Sequence, residues 1–278
     1  MSYKSIFRAD LFAKQTVIVT GGGSGIGRAI AHELASLGAH VVLAGRRSTK
    51  LNRVQAEITA QGGSASSYVC NIRDEAQVIR LLEATLAEGN GLYGLVNNAG
   101  GQFLSAAQSI SLKGWRAVIE TNLTGTFLMC REAFNQWLGD HGGVIVNIVI
   151  EMWRGFPGMA HSAAARAGVV NLTKTLAVEW ARAGVRVNSV APGLIRSSGL
   201  QHYGQAMQPL IDQMIENVPA KRMGTESEIA AAVTFLLSPA AAYISGETLK
   251  VDGASSLWRK EWEIEGHERF ATYDGFAE

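Results

Sequence analysis

Thr20-Gly21-Gly22-Gly23-Ser24-Gly25-Ile26-Gly27 stands directly after the apolar run Thr16 to Val19 and opens a stretch whose apolar positions Ile26, Ile30, Leu34 and Leu37 recur at helical spacing. A buried strand, a glycine turn and a helix N-terminus, in that order, form an anion site. Unpaired backbone N–H groups and the positive end of the helix dipole face a diphosphate. Glycine permits the turn and lets the backbone approach the ligand. The spacing here is Thr-Gly-x-x-x-Gly-x-Gly rather than the plain Gly-x-Gly-x-x-Gly. Gly21, Ser24, Gly25, Ile26 and Gly27 are the candidate diphosphate-binding residues.

Outward from this turn, short β-branched runs alternate with longer helical patterns. Val41 to Ala44, Ser67 to Cys70, Leu92 to Asn97, Val144 to Val149, Val185 to Ala191 and Thr248 to Val251 read as strands. Helical segments are expected near 25–37, 48–61, 74–88, 112–139, 161–183 and 225–237. Most of the strands lack in/out alternation, which suits parallel strands covered on both faces. The alternation predicts an α/β fold: one domain over residues 1–278 with a doubly wound, seven-stranded parallel Rossmann sheet and the ligand at the carboxyl ends of the strands. Two segments break the pattern, Arg196 to Val218 and the aromatic, acidic tail after Trp258.

Composition agrees with a single core: of 278 residues 47% are hydrophobic and 18% charged, enough to bury one large α/β domain. The net charge of +1 gives no reason to expect nucleic acid as a partner. Cys70 and Cys130 lack metal-ligand spacing and fall within strand and helix patterns, so they read as reduced core thiols of a cytoplasmic protein that holds no metal. Charged or polar residues interrupt every apolar run before the ~18 residues a membrane span requires. Met1 to Lys14 has no apolar core and is not a secretory signal, and the ending Phe276-Ala277-Glu278 is no peroxisomal address.

Cofactor choice is read about 20 residues after the glycines, where an NAD-binding unit places a carboxylate on the ribose 2′-OH. Here Gly45 is followed by Arg46 and Arg47. Nothing repels a 2′-phosphate, and two guanidiniums can pair with one. NADP(H) is expected over NAD, with the Ser24 hydroxyl as a further phosphate donor.

These residues resemble the short-chain dehydrogenase/reductase family, and the resemblance covers about residues 12 to 258. Asn97-Asn98-Ala99-Gly100 looks like the family's motif after the fourth strand, so Asn98, Ala99 and Gly100 are implied to line the adenosine pocket. Asn71 and Ile72 sit where an Asp-Val pair usually caps the adenine. Pro192-Gly193 with Ile195 resembles the nicotinamide-side loop, and Asn122 in Asn122-Leu123-Thr124-Gly125 resembles the active-site asparagine that holds a water or a backbone bend. The family also implies a homotetramer with contacts through the helices at 112–139 and 161–183.

The family's usual chemistry needs a Tyr, a Lys four residues later and a Ser on the preceding strand, because a phenol near pKa 10 works at pH 7 only beside a cation. The corresponding helix reads His161-Ser162-Ala163-Ala164-Ala165-Arg166-Ala167-Gly168. Ser162 stands at the Tyr position and Arg166 at the Lys position, while Val149 and Ile150 stand where the strand Ser should be. No Tyr of the chain has a Lys four residues on. Three readings stay open: a non-catalytic dinucleotide binder, an alcohol/carbonyl oxidoreductase with His161 or Glu151 as substitute acid, or a reaction that needs no phenol. Conjugate reduction of an α,β-unsaturated thioester is of the third kind, since the enolate oxygen needs hydrogen-bond donors more than a matched acid.

Gly155-Phe156-Pro157, His161-Ser162, Ala164 to Gly168 and Asn171-Leu172-Thr173-Lys174 resemble peroxisomal-type trans-2-enoyl-CoA reductases, which carry the same Ser and Arg. The resemblance implies an acyl-CoA substrate, with Asn122 and Ser162 as donors to it and Arg166 on the cofactor ribose. Related bacterial proteins are citronellol/citronellal dehydrogenases, which implies a terpenoid alcohol or aldehyde instead. Residues 196–218 occupy the family's substrate lid, where Leu200, Met207, Leu210, Ile211, Met214 and Ile215 suit an acyl chain and Arg154 and Arg196 could meet CoA phosphates. The tail 259–278 carries too many aromatic residues for a free end and is expected to dock on a neighbouring subunit or near the lid.

Overall fold

The computed structural model describes residues 3–197, 208–259 and 262–276. In chain order its elements are β1 (Thr16–Thr20), α1 (Gly25–Ser36), β2 (His40–Gly45), α2 (Ser48–Ala60), β3 (Ser64–Val69), α3 (Glu75–Ala87), β4 (Gly94–Asn97), α4 (Leu112–Ile119), α5 (Gly125–Ala133), α6 (Gly139–His141) and β5 (Gly143–Ile148). Then follow α7 (Ala160–Glu179), β6 (Val185–Pro192), β7 (Ile195–Arg196), α8 (Gln208–Glu216), β8 (Gly224–Thr225), α9 (Glu226–Leu237) and β9 (Thr248–Val251). Seven strands form one parallel sheet in the order β3-β2-β1-β4-β5-β6-β9, and β7 with β8 makes a separate two-residue ribbon. The strand order reverses between β1 and β4, so the ligand crevice of such a sheet opens at their carboxyl ends.

Burial explains why the strands read as unbroken apolar runs. Val17 and Val19 of β1 pack with α1, α2 and α9 through Ile30, Leu34, Val54, Ile58 and Val233. Ile18 between them faces the opposite layer, where Val78, Leu82, Met129 and Leu176 of α3, α5 and α7 meet Val42 and Ile145. Each strand residue therefore needs an apolar side chain whichever way it points.

The structure departs from the sequence expectations in three places. β3 begins at Ser64, not Ser67, because Ser64-Ala65-Ser66 pairs with His40-Val41-Val42 at the sheet edge, where half-exposed backbone needs no apolar side chains. Segment 112–139 is not one helix: π-helical turns at Glu120–Thr124 and Phe134–Leu138 separate α4, α5 and α6. A π-turn adds a residue to one helical turn without changing side-chain type, so periodicity does not reveal it.

The tail is the third, since it docks on its own chain. The Phe276 ring sits edge-on to Tyr3 and His32, with centroids 4.7 and 5.2 Å away, and the Arg28 guanidinium lies 4.4 Å above it. Gly275 N–H donates to Ser227 Oγ at 3.0 Å, Thr225 Oγ1–H to Tyr273 O at 2.5 Å and Arg222 Nη2–H to Ala271 O at 2.7 Å. These bonds strap residues 271–276 across α1 and the start of α9. Both cysteines are buried and free, and burial pushes the Cys130 thiol up to about 12. Among the described residues no helix is long and apolar enough to cross a membrane.

Candidate active site

The glycine turn at the end of β1 is shaped for close approach. Gly21 and Gly25 adopt φ of +68° and +60°, a region that side chains avoid. A Cβ on Gly27 would stand 2.4 Å from the Gly21 carbonyl oxygen, so only glycine lets α1 start this close to the strand. Ser24 is the N-cap residue of α1, yet its hydroxyl bonds no helix N–H. Thr20 ties the turn to the next strand of the crevice. Its buried Oγ1 accepts from Asn98 N–H and Ala99 N–H, both at 3.0 Å, and Asn98 Nδ2 returns a bond to Thr20 O at 2.9 Å.

Gly45 ends β2, and the exposed Arg46 and Arg47 beyond it make no ion pair among the described residues. On the same side, Asn71 N–H donates to Gln77 Oε1 at 2.9 Å, and Asn71 Oδ1 accepts from Arg73 N–H at 3.4 Å. Ile72 is buried against Gly125, where an added Cβ would lie 2.8 Å from its side chain. A turn that admits no Cβ and an uncapped Ser24 fit the diphosphate of a dinucleotide.

The other end of the crevice is built on the first turns of α7. Ser162 and His161 are fully buried. Ser162 Oγ–H donates to Gln102 Oε1 at 2.7 Å. His161 Nδ1 lies 2.8 Å from Ser162 N–H and accepts from it, which places the ring proton on Nε2, and Nε2 has no partner. Phe103 packs edge-on against this imidazole at 4.3 Å. One turn on, Arg166 donates from Nη1 to Ile148 O at the end of β5, 2.7 Å away, and its Nε is unpartnered. Burial pushes Arg166 down to about 10, so the guanidinium is still charged at neutral pH. Gly100 lies against it, since a Cβ there would come within 2.1 Å of Arg166 Nη2.

Asn122 lies in the first π-turn, and both ends of its carboxamide are engaged: Oδ1 accepts from Gly101 N–H at 2.9 Å and Nδ2 donates to Gly101 O at 3.0 Å. These bonds agree with the expectation that it holds a backbone bend. Fully buried, it clamps the backbone just before Gln102. Glu151 accepts from Ser255 Oγ at 2.5 Å, beyond the end of β9. Gly193 N–H donates to Val251 O at 3.0 Å, and Ile195 is buried in β7 just after Pro192 ends β6. Arg196 lies 3.7 Å from Asp274 with most of its side chain exposed, and Arg154 is exposed too. Of the apolar lid positions, Leu200, Met207 and the Leu210 side chain lie outside the described residues, and Ile211 is buried.

The structure thus gathers His161, Ser162, Arg166, Asn122 and Gly100 at one place and leaves Glu151 at the β9 side. Sequence reasoning passed over Gln102, Phe103 and the Thr20 hydroxyl. Gln102 follows the Asn97 to Gly100 motif by two residues, and that position was the one available signal.

Residues 21–255 match a family model described as enoyl-(acyl carrier protein) reductase. The solved structure of a citronellol catabolism dehydrogenase (AtuB) from Pseudomonas aeruginosa PAO1 is 54% identical, with a TM-score of 0.83 over 91% of this chain and 100% of that one. The peroxisomal 2,4-dienoyl-CoA reductase ((3E)-enoyl-CoA-producing) of Danio rerio is 35% identical over 92% of this chain and 86% of its own length. An actinorhodin polyketide ketoreductase solved with NADPH is 30% identical, with a TM-score of 0.83 over 88% and 98% of the two chains.

Proposed function

The chain belongs to the short-chain dehydrogenase/reductase family, and within it we propose an NADP(H)-dependent reductase of the C=C bond of a trans-2-enoyl-CoA thioester. The observation that carries this reading is the α7 site itself, where a neutral hydroxyl bonded to a carboxamide, and not a phenol, stands one turn before a fixed guanidinium. Bound NADPH supplies the hydride. Gly21, Ser24, Gly25, Ile26 and Gly27 hold the diphosphate, Arg46 and Arg47 the 2′-phosphate, Asn71, Ile72, Asn98, Ala99 and Gly100 the adenosine, and Pro192, Gly193, Ile195 and Arg166 the nicotinamide end.

In conjugate reduction, hydride enters at Cβ, the C=C electron pair moves to the thioester oxygen and a proton is then added at Cα. The charge on oxygen would be met by the Ser162 Oγ–H, turned from Gln102 Oε1 to the substrate when it binds. Arg166 contributes positive charge but, as a guanidinium, passes no proton. The proton at Cα comes from water. The relative named 2,4-dienoyl-CoA reductase supports a CoA thioester.

The 54% identity to a citronellol catabolism dehydrogenase favours a second reading, reduction or oxidation of a terpenoid aldehyde/alcohol pair with His161 or Glu151 as the acid. In either case we place the enzyme in the cytoplasm as a homotetramer with contacts through α4, α5 and α7, where Trp115, Phe127 and Val178 are exposed. The deciding experiment is NADPH oxidation with crotonyl-CoA and longer enoyl-CoA substrates against free enals, ketones and terpenoid aldehydes. Turnover confined to the free aldehydes overturns the thioester reading.

A further inference from the structure

The segment that straps α1 to α9 is itself sewn to the start of the chain. Lys4 N–H donates to Gly275 O at 2.9 Å, and the Tyr273 hydroxyl is shared between Lys4 O at 3.0 Å and the buried Glu33 carboxylate at 3.1 Å. Ser5 Oγ–H donates to the other oxygen of Glu33. Gly275 lies flat on Tyr3, since a Cβ there would overlap the phenol ring. These contacts give residues 271–276 one defined path over the molecule.

That path runs along the rim of the crevice. Because the seven strands of the sheet are parallel, α1 and α9 run back along it and both begin at the crevice end. The strap crosses their first turns and touches the dinucleotide site from two sides. On one side the Phe276 ring covers the Arg28 guanidinium at 4.4 Å, while Glu57 holds Arg28 Nε at 2.7 Å. Arg28 N–H closes the first turn of α1 on Ser24 O at 3.3 Å, inside the glycine turn. On the other side Thr225 Oγ1–H donates to Tyr273 O, and Arg196 lies 3.7 Å from Asp274. Thr225 and Arg196 are register partners in the β7–β8 ribbon, whose second pair is Gly224 and Ile195. Gly224 N–H donates to Leu194 O at 2.9 Å and leaves no room for a Cβ against Ile195, one of the residues assigned to the nicotinamide end.

We propose that residues 271–276 are a conformational strap whose docking is coupled to binding of the nicotinamide dinucleotide. Docked, the strap fixes the first turn of α1 and the β7–β8 ribbon at the separation that the dinucleotide spans. Bound dinucleotide in turn holds the strap down, and because linkage is reciprocal both effects share one factor. The proposal rests on the dinucleotide reading for the two sides of the site and is independent of the thioester reading.

The test combines NADPH calorimetry with hydrogen exchange of the full chain, read by mass spectrometry over peptides covering 271–276 and 58–66 with and without saturating NADPH. In the first peptide Gly275 N–H is bonded to Ser227 Oγ and Phe276 N–H to Asp274 Oδ1, both at 3.0 Å. NADPH should slow its exchange at least about fivefold, the lower end of ordinary coupling between two sites. The second peptide joins the end of α2 to the start of β3, at the far end of the sheet, and should not change. Phe276→Ala uncovers Arg28 and should weaken NADPH by about the same factor while speeding exchange in 271–276; Phe276→Tyr keeps the ring and should retain both wild-type values. An unchanged NADPH affinity in Phe276→Ala, with only the urea midpoint lowered, makes the strap a structural fastening and overturns the coupling. Slowing in 271–276 no greater than in 58–66 overturns it as well, and that comparison needs the wild type alone. A wild type that binds neither NADPH nor NADH defeats the dinucleotide reading and this one together, whereas unaltered exchange in a protein that does bind NADPH defeats the strap alone.

Discussion

Thr20→Val keeps the outline of a side chain while deleting the hydroxyl on which the crevice closes. Thr20 is 1% exposed, and its Oγ1 accepts from Asn98 N–H and Ala99 N–H at 3.0 Å each while donating to Val96 O at 3.3 Å. Asn98 N–H keeps a second acceptor, Val96 O at 3.1 Å. Ala99 N–H has no other acceptor among the described residues. The loss is therefore close to that of one unpaired buried donor, about 1–3 kcal/mol. At about 2 kcal/mol, the thermal midpoint of a chain this size should fall by roughly 3–4 °C. Thr20→Ser keeps the hydroxyl and loses one methyl, about 1 kcal/mol. Urea unfolding followed by circular dichroism at fixed protein concentration measures both. Calorimetry with NADPH should show weaker binding for Thr20→Val, because Ala99 and Gly100 are released from β1. A Thr20→Val protein as stable as wild type, or a Thr20→Ser protein as damaged as Thr20→Val, refutes the reasoning.

Further outcomes follow from other parts of the site. If Arg46 pairs with a 2′-phosphate, wild type should bind NADPH at least tenfold tighter than NADH, about 1.4 kcal/mol, and Arg46→Ala should erase most of that preference; calorimetry with an unchanged ratio removes its role. Burial holds the His32 imidazole below the ordinary histidine range although Glu57 Oε2 lies 3.1 Å from its Nε2. The folded protein then binds fewer protons than the unfolded chain just below about pH 6.5, so stability falls as pH drops through that window. His32→Gln should flatten the urea-midpoint slope between pH 7 and 5, and equal slopes speak against the assignment. Ser162→Ala should lower enoyl-CoA turnover about 10²- to 10³-fold, the range for one oxyanion donor, with NADPH affinity unmoved; full activity in this variant eliminates the donor role.

Legibility in the sequence tracks burial. β1, β2, β5 and β6 announce themselves because both faces of each strand are covered, and the Gly21 to Gly27 turn because no other residue fits its φ angles and contacts. The first half of β3 is silent, since Ser64 and Ser66 meet water at the sheet edge. The resemblance gave Asn122 a backbone bend to hold, but not which one: a π-turn aims it at Gly101, and no local pattern records that aim. Gln102 becomes a site residue only when the loop after β4 folds over α7, a contact between positions 60 residues apart. The tail's aromatics signalled docking, and the partner that completes Phe276, Tyr3 at the opposite end of the chain, is fixed by tertiary structure alone.

The exchange of a lysine for Arg166 separates two tasks that a lysine beside a phenol performs together. The guanidinium reaches Ile148 O with one nitrogen and faces Gly100 with another, a span that its planar fork allows and a single ammonium does not. Even pushed down to about 10 by burial, it holds its proton across the working range, so it orients and supplies charge without taking part in proton transfer. The adjoining Ser162 has no base that could draw its proton, because its one partner is the neutral Gln102. Enoyl reduction through such donors, with Cα protonated by water, leaves no titrating acid in the step that sets the rate. Its kcat should be flat within about twofold from pH 6 to 9. Aldehyde reduction needs a proton donor at the carbonyl oxygen, so its kcat must fall as pH rises and that donor is lost. A steep fall on enoyl-CoA, abolished by His161→Gln at matched NADPH saturation, would transfer the Cα proton from water to that ring.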